Sequence, residues 1–197
     1  MNRRIKLLIL SVCLLCYGCK TVSKSTINVN LDVPYRDIKI MAVMRFDDEL
    51  IQREAVSGNV IKTISNPNAG QILADMMTVE LLKWRKYHVL ARSEIKREIK
   101  SGGEKEEPLV KRKDYATIGK ILKADTVVFG KVSNFELSDM TVYARGNVSF
   151  TVECIDTRNG KILWSMEINE SAPYKDEVEL AGKAIKDVVE KLKKEME

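Results

Sequence analysis

Three cysteines crowd the start of the chain, and a thiol set beside a small residue behind an apolar run is an acceptor for lipid attachment. Cys13 follows Val12 and Cys16 follows Leu15, both bulky, whereas Cys19 follows Gly18. The tetrapeptide Cys16-Tyr17-Gly18-Cys19 has the layout of a lipidation box with Cys16 where leucine is usual, so Cys19 is the expected lipid-bearing residue. Other reactive groups are sparse. His88 is the single histidine, between Tyr87 and Val89, so no histidine triad, paired-histidine metal site or imidazole relay can be assembled, and it reads as structural. Asp47-Asp48-Glu49 could offer hard oxygen ligands to a cation, but adjacent acids at a strand exit read as solvated. The glycines follow neither the phosphate-loop nor the dinucleotide-binding pattern, and no spacing proposes a carboxylate pair for acid–base work. The expectation is one site residue, Cys19, with no catalytic, cofactor-binding or metal residue.

The segment that presents Cys19 opens Met-Asn-Arg-Arg-Ile-Lys and runs into apolar residues from Leu7. That apolar run is shorter than the roughly 17 to 25 residues a helix needs to cross a bilayer, and its basic start and small-residue end give it the form of a signal peptide. Residues 1–18 are therefore expected to be removed, residues 19–36 to form a lipidated tether, and residues 37–197 to form one globular domain. Of the 33 basic side chains, Arg3, Arg4 and Lys6 leave with the signal, so 30 face 28 acidic ones and the net charge falls from +5 to +2. A balance this even excludes the concentrated basic face that nucleic acid requires. Cys154 is then the one cysteine besides Cys19, and no intrachain disulfide is expected in an oxidising compartment.

The domain reads as alternating elements. Ile38, Ile40, Ala42, Met44 and Phe46 alternate along a first strand with one better-buried face. Asn66-Pro67-Asn68 supplies helix-start chemistry for a helix to about Trp84, with Ile72, Leu73, Met76, Val79 and Leu82 as its packing stripe. Tyr87 to Arg92 is a short strand, Ser93 caps a helix that Gly102-Gly103 ends, and the charged stretch from Glu104 to Lys113 reads as a solvated loop. A helix over Asp114 to Lys123 precedes the apolar strand Thr126 to Val132. Two alternating runs follow, Val148 to Cys154 and Ile162 to Ile168. Arg158-Asn159-Gly160-Lys161 between them is a strong hairpin signal, and Cys154 falls on the core side as an inert thiol. A closing helix from about Asp176 carries Val178, Ala181, Ile185, Val188 and Leu192, a stripe for covering the sheet. The expected class is α/β, an α+β sandwich with a mixed sheet and helices packed on it in the order βαβααβββα.

Four blocks within that order carry a resemblance: Ile40 to Asp48, Ala69 to Ile99, Ile118 to Val132, and Val148 to Ser165. With Ala69-Gly70 before a helix, Arg92-Ser93 after a strand, Ile118-Gly119-Lys120, Ala124-Asp125, Gly130, and Asp156 to Trp164, the chain resembles the CsgG family of periplasmic lipoprotein domains, related in architecture to LpoB and the amino-terminal domain of TolB. The family's secretion channels carry two membrane-spanning hairpins per subunit. Here the first place for one, Ser133 to Asn147, is too short for two strands of roughly 9 to 11 residues each, and is expected to be a short soluble extension of the sheet. The resemblance therefore implies a non-catalytic lipoprotein on the periplasmic face of the outer membrane. Its expected partners are that membrane, through the lipid, and proteins in envelope assembly, whether export of surface material or activation of cell-wall synthesis, with a homo-oligomer among the options and no nucleic acid. Two alternatives from other classes are a periplasmic hydrolase with an unrecognised carboxylate pair and an oligomeric curli-type channel subunit.

Overall fold

The computed structural model describes residues 21–33, 35–51, 61–140 and 143–197. The expected signal peptide and Cys19 lie outside the described residues. Seven strands form one mixed sheet in the order β1-β7-β6-β5-β2-β4, with β3 pairing the outer part of β5. In chain order the elements are β1 (Val22–Val29), β2 (Ile40–Val43), β3 (Ile61–Ser65), α1 (Ala69–Trp84), β4 (His88–Val89), α2 (Arg92–Ser101), α3 (Glu106–Lys111), α4 (Tyr115–Leu122), β5 (Thr126–Met140), β6 (Ala144–Asp156), β7 (Ile162–Pro173) and α5 (Glu177–Met196). Every expected element is present, and β1, β3 and α3 are additions.

Both faces of the sheet are covered around β2 and β5. Strand β2 runs parallel to β4 on one side and to β5 on the other, the setting in which strands read as unbroken apolar runs. Met41, Val43 and Phe46 point to the layer beneath α1 and α5, whereas Ala42 and Met44 point to the layer beneath α2, α3 and α4. The expectation of one better-buried face on this strand is corrected accordingly: the strand ends at Val43, and Phe46 turns back to the first layer. Val127 and Phe129 against Val128 repeat that division on β5.

The larger correction concerns the tether. Val22–Val29 is not a free linker but an edge strand, antiparallel to β7 from Val22 opposite Ser171 to Val29 opposite Trp164. Tyr35 fastens its exit, its hydroxyl lying 2.6 Å from the Leu163 carbonyl oxygen and 2.8 Å from that of Asn30. Among the described residues the sheet thus begins at Val22.

The hairpin signal holds in kind. Asp156 and Ile162 bound a loop in which Gly160 takes φ +73°, and the Arg158 side chain and amide both donate to Asp156. Those bonds hold the Asp156 carboxyl below the usual carboxylate range. Residues 133–140 and 144–147 continue β5 and β6 as an extension of the sheet, with Phe135 in the core. Among the described residues, no helix is long and apolar enough to cross a membrane.

Candidate functional site

The chain leaves β2 through α1 to reach β4 on one side, and later arrives at β5 on the other. The carboxyl end of β2 is therefore a switch point, where open α/β sheets form their crevices. The loop that follows, residues 44–51, hugs β5: the Asp47 amide donates to the Gly130 carbonyl and the Val132 amide to that of Asp47, each at 2.8 Å. A cleft of about 170 Å³ opens there, lined by Arg45, Asp47, Asp48, Glu49, Glu107 and Lys111 among others.

Its charges are organised around two arginines. Arg45 Nη2 meets both oxygens of Asp48, at 2.9 and 3.1 Å. Asp48 Oδ2 also accepts from the Gly70 amide at 3.0 Å, in the first turn of α1. The cap of that helix thus comes from a distant loop; Asn68 makes no side-chain cap bond, and Asn66 instead accepts from the Asn68 amide in a local turn. Arg92 donates to the Val43 carbonyl at 2.6 Å, pairs with Glu106 at 2.8 Å, and lies 3.6 Å from Asp75. Lys111 joins Glu107 at 3.1 Å and Glu49 at 3.5 Å; its ammonium is raised by the hydrogen bond to Glu107 and then by the charge of Glu49.

The three adjacent acids do not converge. Asp47 accepts from the Glu49 amide, Asp48 serves Arg45 and Gly70, and Glu49 reaches Lys111. Among the described residues no group of three or more His, Cys, Asp or Glu side chains is placed to hold a metal ion. His88 is exposed on the edge strand β4. The arrangement can clamp the loop to α1, α2 and α3; the carboxylates in it face cations or backbone amides rather than one another.

A second feature lies between α1 and α5. The expected stripe of α1 is rotated: Leu73, Ala74, Met77 and Leu81 are buried, while Val79 and Leu82 are 49% and 46% exposed. Met76 and Val79 line a groove of about 280 Å³ with Gly182 of α5. A Cβ built on Gly182 meets nothing within 4 Å. A glycine inside a helix costs about 1 kcal/mol relative to alanine, and here no packing among the described residues requires it. Sequence reasoning missed this residue, although an isolated glycine inside a helical stripe is a signal in its own right. The rest of the α5 stripe is as expected, with Ala181, Ile185, Val188 and Leu192 buried; Val178 is the half-exposed exception.

Cys154 is fully enclosed in the first core layer. Burial pushes its thiol up to about 12, and the thiolate is the reactive species. Iodoacetamide at pH 8 is expected to leave Cys154 unmodified in the folded protein and to label it in urea, as mass spectrometry would show; labelling at equal rates in both conditions would contradict this burial.

A search of curated protein sequences returns no match. Among solved structures, the chain is similar to lipoprotein GNA1162 from Neisseria meningitidis, at 20% identity and TM-score 0.57, covering 79% of this chain and 99% of that one. It is similar also to the PelC dodecamer from Paraburkholderia phytofirmans, at 14% identity and TM-score 0.55, covering 85% and 95%. These likenesses show a shared fold. The LpoB C-terminal domain from Salmonella enterica matches at 13% identity and TM-score 0.41, over 66% of this chain and 81% of that one, too distant to carry an argument. The family model that matches, over residues 61–197, is GNA1162-like, so the CsgG resemblance of the four sequence blocks is not supported. The chain belongs to the GNA1162-like lipoprotein family.

Proposed function

We propose that this protein is a non-catalytic lipoprotein, anchored through Cys19 on the periplasmic face of the outer membrane, whose domain binds protein during envelope assembly, in the first place further copies of itself. The observation that carries this reading is the α1–α5 groove. An apolar floor of Met76 and Val79 beside a glycine with open space in front of it is a surface shaped for an incoming side chain. That the PelC relative is a dodecamer supports self-association as the form this binding takes. Lys20 follows Cys19, where an aspartate would favour inner-membrane retention in enteric-type sorting.

Gly182 separates binding from folding. Gly182→Ala is expected to raise stability by about 0.5–1 kcal/mol in urea denaturation. Gly182→Arg should fold equally well, because its side chain enters open space, yet fill the groove. In sedimentation velocity of the detergent-solubilised full chain, the wild type should run as an oligomer and Gly182→Arg as a monomer. A folded Gly182→Arg that assembles like the wild type would sink the groove as the binding surface.

A further inference from the structure

The register of β1 fixes where a lipid on Cys19 has to be. Val22 lies opposite Ser171, and a chain advances at most about 3.3 Å per residue, so chain length alone keeps Cys19 within about 10 Å of Val22. That is the end of the sheet where β7 runs out at Pro173. A connection this short cannot carry the domain away from the surface that holds the lipid.

Two tyrosines stand at that end. Tyr174, just past β7, is 71% exposed. Its backbone takes φ +61°, a left-handed conformation that bulky residues adopt rarely, and its amide donates to the Ala144 carbonyl at 2.8 Å. Its ring lies 5.6 Å from that of Tyr143, tilted by 44°. The Arg145 guanidinium lies 5.9 Å from the Tyr143 ring and donates to Ser171 Oγ at 3.0 Å. The start of β1, Tyr143 just before β6, and the turn into α5 are thereby gathered at one end. Charge alone does not decide what meets them, since Asp176, Glu177 and Glu179 open α5 beside Lys175. The aromatic pair does: tyrosine, with an apolar body and a polar tip, is enriched where hydrocarbon gives way to headgroups, and a guanidinium suits phosphate.

We infer that the Tyr143–Tyr174 pair, with Arg145 beside it, seats in the phospholipid headgroup layer of the membrane that holds the Cys19 lipid, and so orients the domain end-on. This rests on the anchoring at Cys19 proposed above. The test uses the full lipidated chain in vesicles of phosphatidylethanolamine and phosphatidylglycerol, with an environment-sensitive nitrobenzoxadiazole label on Lys175→Cys, or on Lys161→Cys at the opposite end of β7. Cys154 is buried and does not compete for the label. The Lys175→Cys label should be blue-shifted and quenched by headgroup-level spin-labelled lipid, the Lys161→Cys label should not, and adding Tyr174→Ser should reduce the quenching of the first. Equal quenching at both ends, or quenching indifferent to Tyr174→Ser, would overturn the end-on seat. Intact mass of the same sample separates the two readings: lipid on Cys19 without quenching removes only this inference, whereas no lipid on Cys19 removes both.

Discussion

Arg92→Leu is expected to lower stability by about 3–5 kcal/mol, the cost of leaving a buried charge without its partner. Arg92 is only 9% exposed, and its side chain ties the end of β2, at the Val43 carbonyl, to Glu106 in the first turn of α3. Glu106 is itself largely enclosed and also accepts from the Arg45 amide at 2.7 Å, so it stays in place when Arg92 is gone. Arg92→Lys should recover part of the loss, because an ammonium cannot reach the carbonyl and the carboxylate with the same planar fork. Arg92→Leu combined with Glu106→Leu should also recover part of the loss, since replacing both members of a buried pair by apolar groups is often neutral, less the cost of leaving the Arg45 amide without its acceptor. Urea denaturation of the three variants checks this. A loss below about 1 kcal/mol for Arg92→Leu would place the pair in the range of solvent-screened surface bridges.

The elements legible in the sequence are those whose burial is one-sided and large. The α5 stripe and the strands β6 and β7 alternate cleanly because each packs one face against a deep layer. Strand β1 does not, for a physical reason: as an edge strand it has one neighbour, and only Ile27 and Val29 of its apolar side chains pack on the core, so its sequence looks like a polar linker. Strand β3 shares that position at the outer part of β5. Helix α3 hides within a charged run because two residues, Leu109 and Val110, suffice to dock it. The rotation of α1 was unreadable because Ile72, Leu73, Met76, Met77, Val79, Leu81 and Leu82 place apolar groups around most of its circumference. Periodicity then fixes the helix without choosing the face. The clamp around Arg92 and Asp48 was equally hidden, since its partners come from separate stretches of chain that only the fold brings together.

The loop that forms the crevice is held by a packing constraint at Phe46. Phe46 is buried between two glycines: a Cβ on Gly130 would fall 2.2–2.5 Å from atoms of its ring, and a Cβ on Gly70 would fall 2.1 Å from its carbonyl oxygen. The ring also packs on Phe150, 6.1 Å away. Gly130→Ala should therefore cost at least about 1–3 kcal/mol, as overpacking of a dense core does, and Phe46→Ala about 3–5 kcal/mol. The two are not independent, because Phe46→Ala leaves space where the new methyl group must go. The double variant should be less unstable than the sum of the singles by more than about 1 kcal/mol, a coupling typical of residues in direct contact. Gly70→Ala should behave differently. Its clash is with the backbone of residue 46, which Phe46→Ala leaves where it was, and the Gly70 amide is held by Asp48. Removing the ring therefore cannot relieve it, and the pair Gly70→Ala with Phe46→Ala should show little favourable coupling. Equal rescue of both glycine variants in urea denaturation would mean that the loop moves as a whole when Phe46 is truncated, and that the ring is not what makes Gly130 necessary.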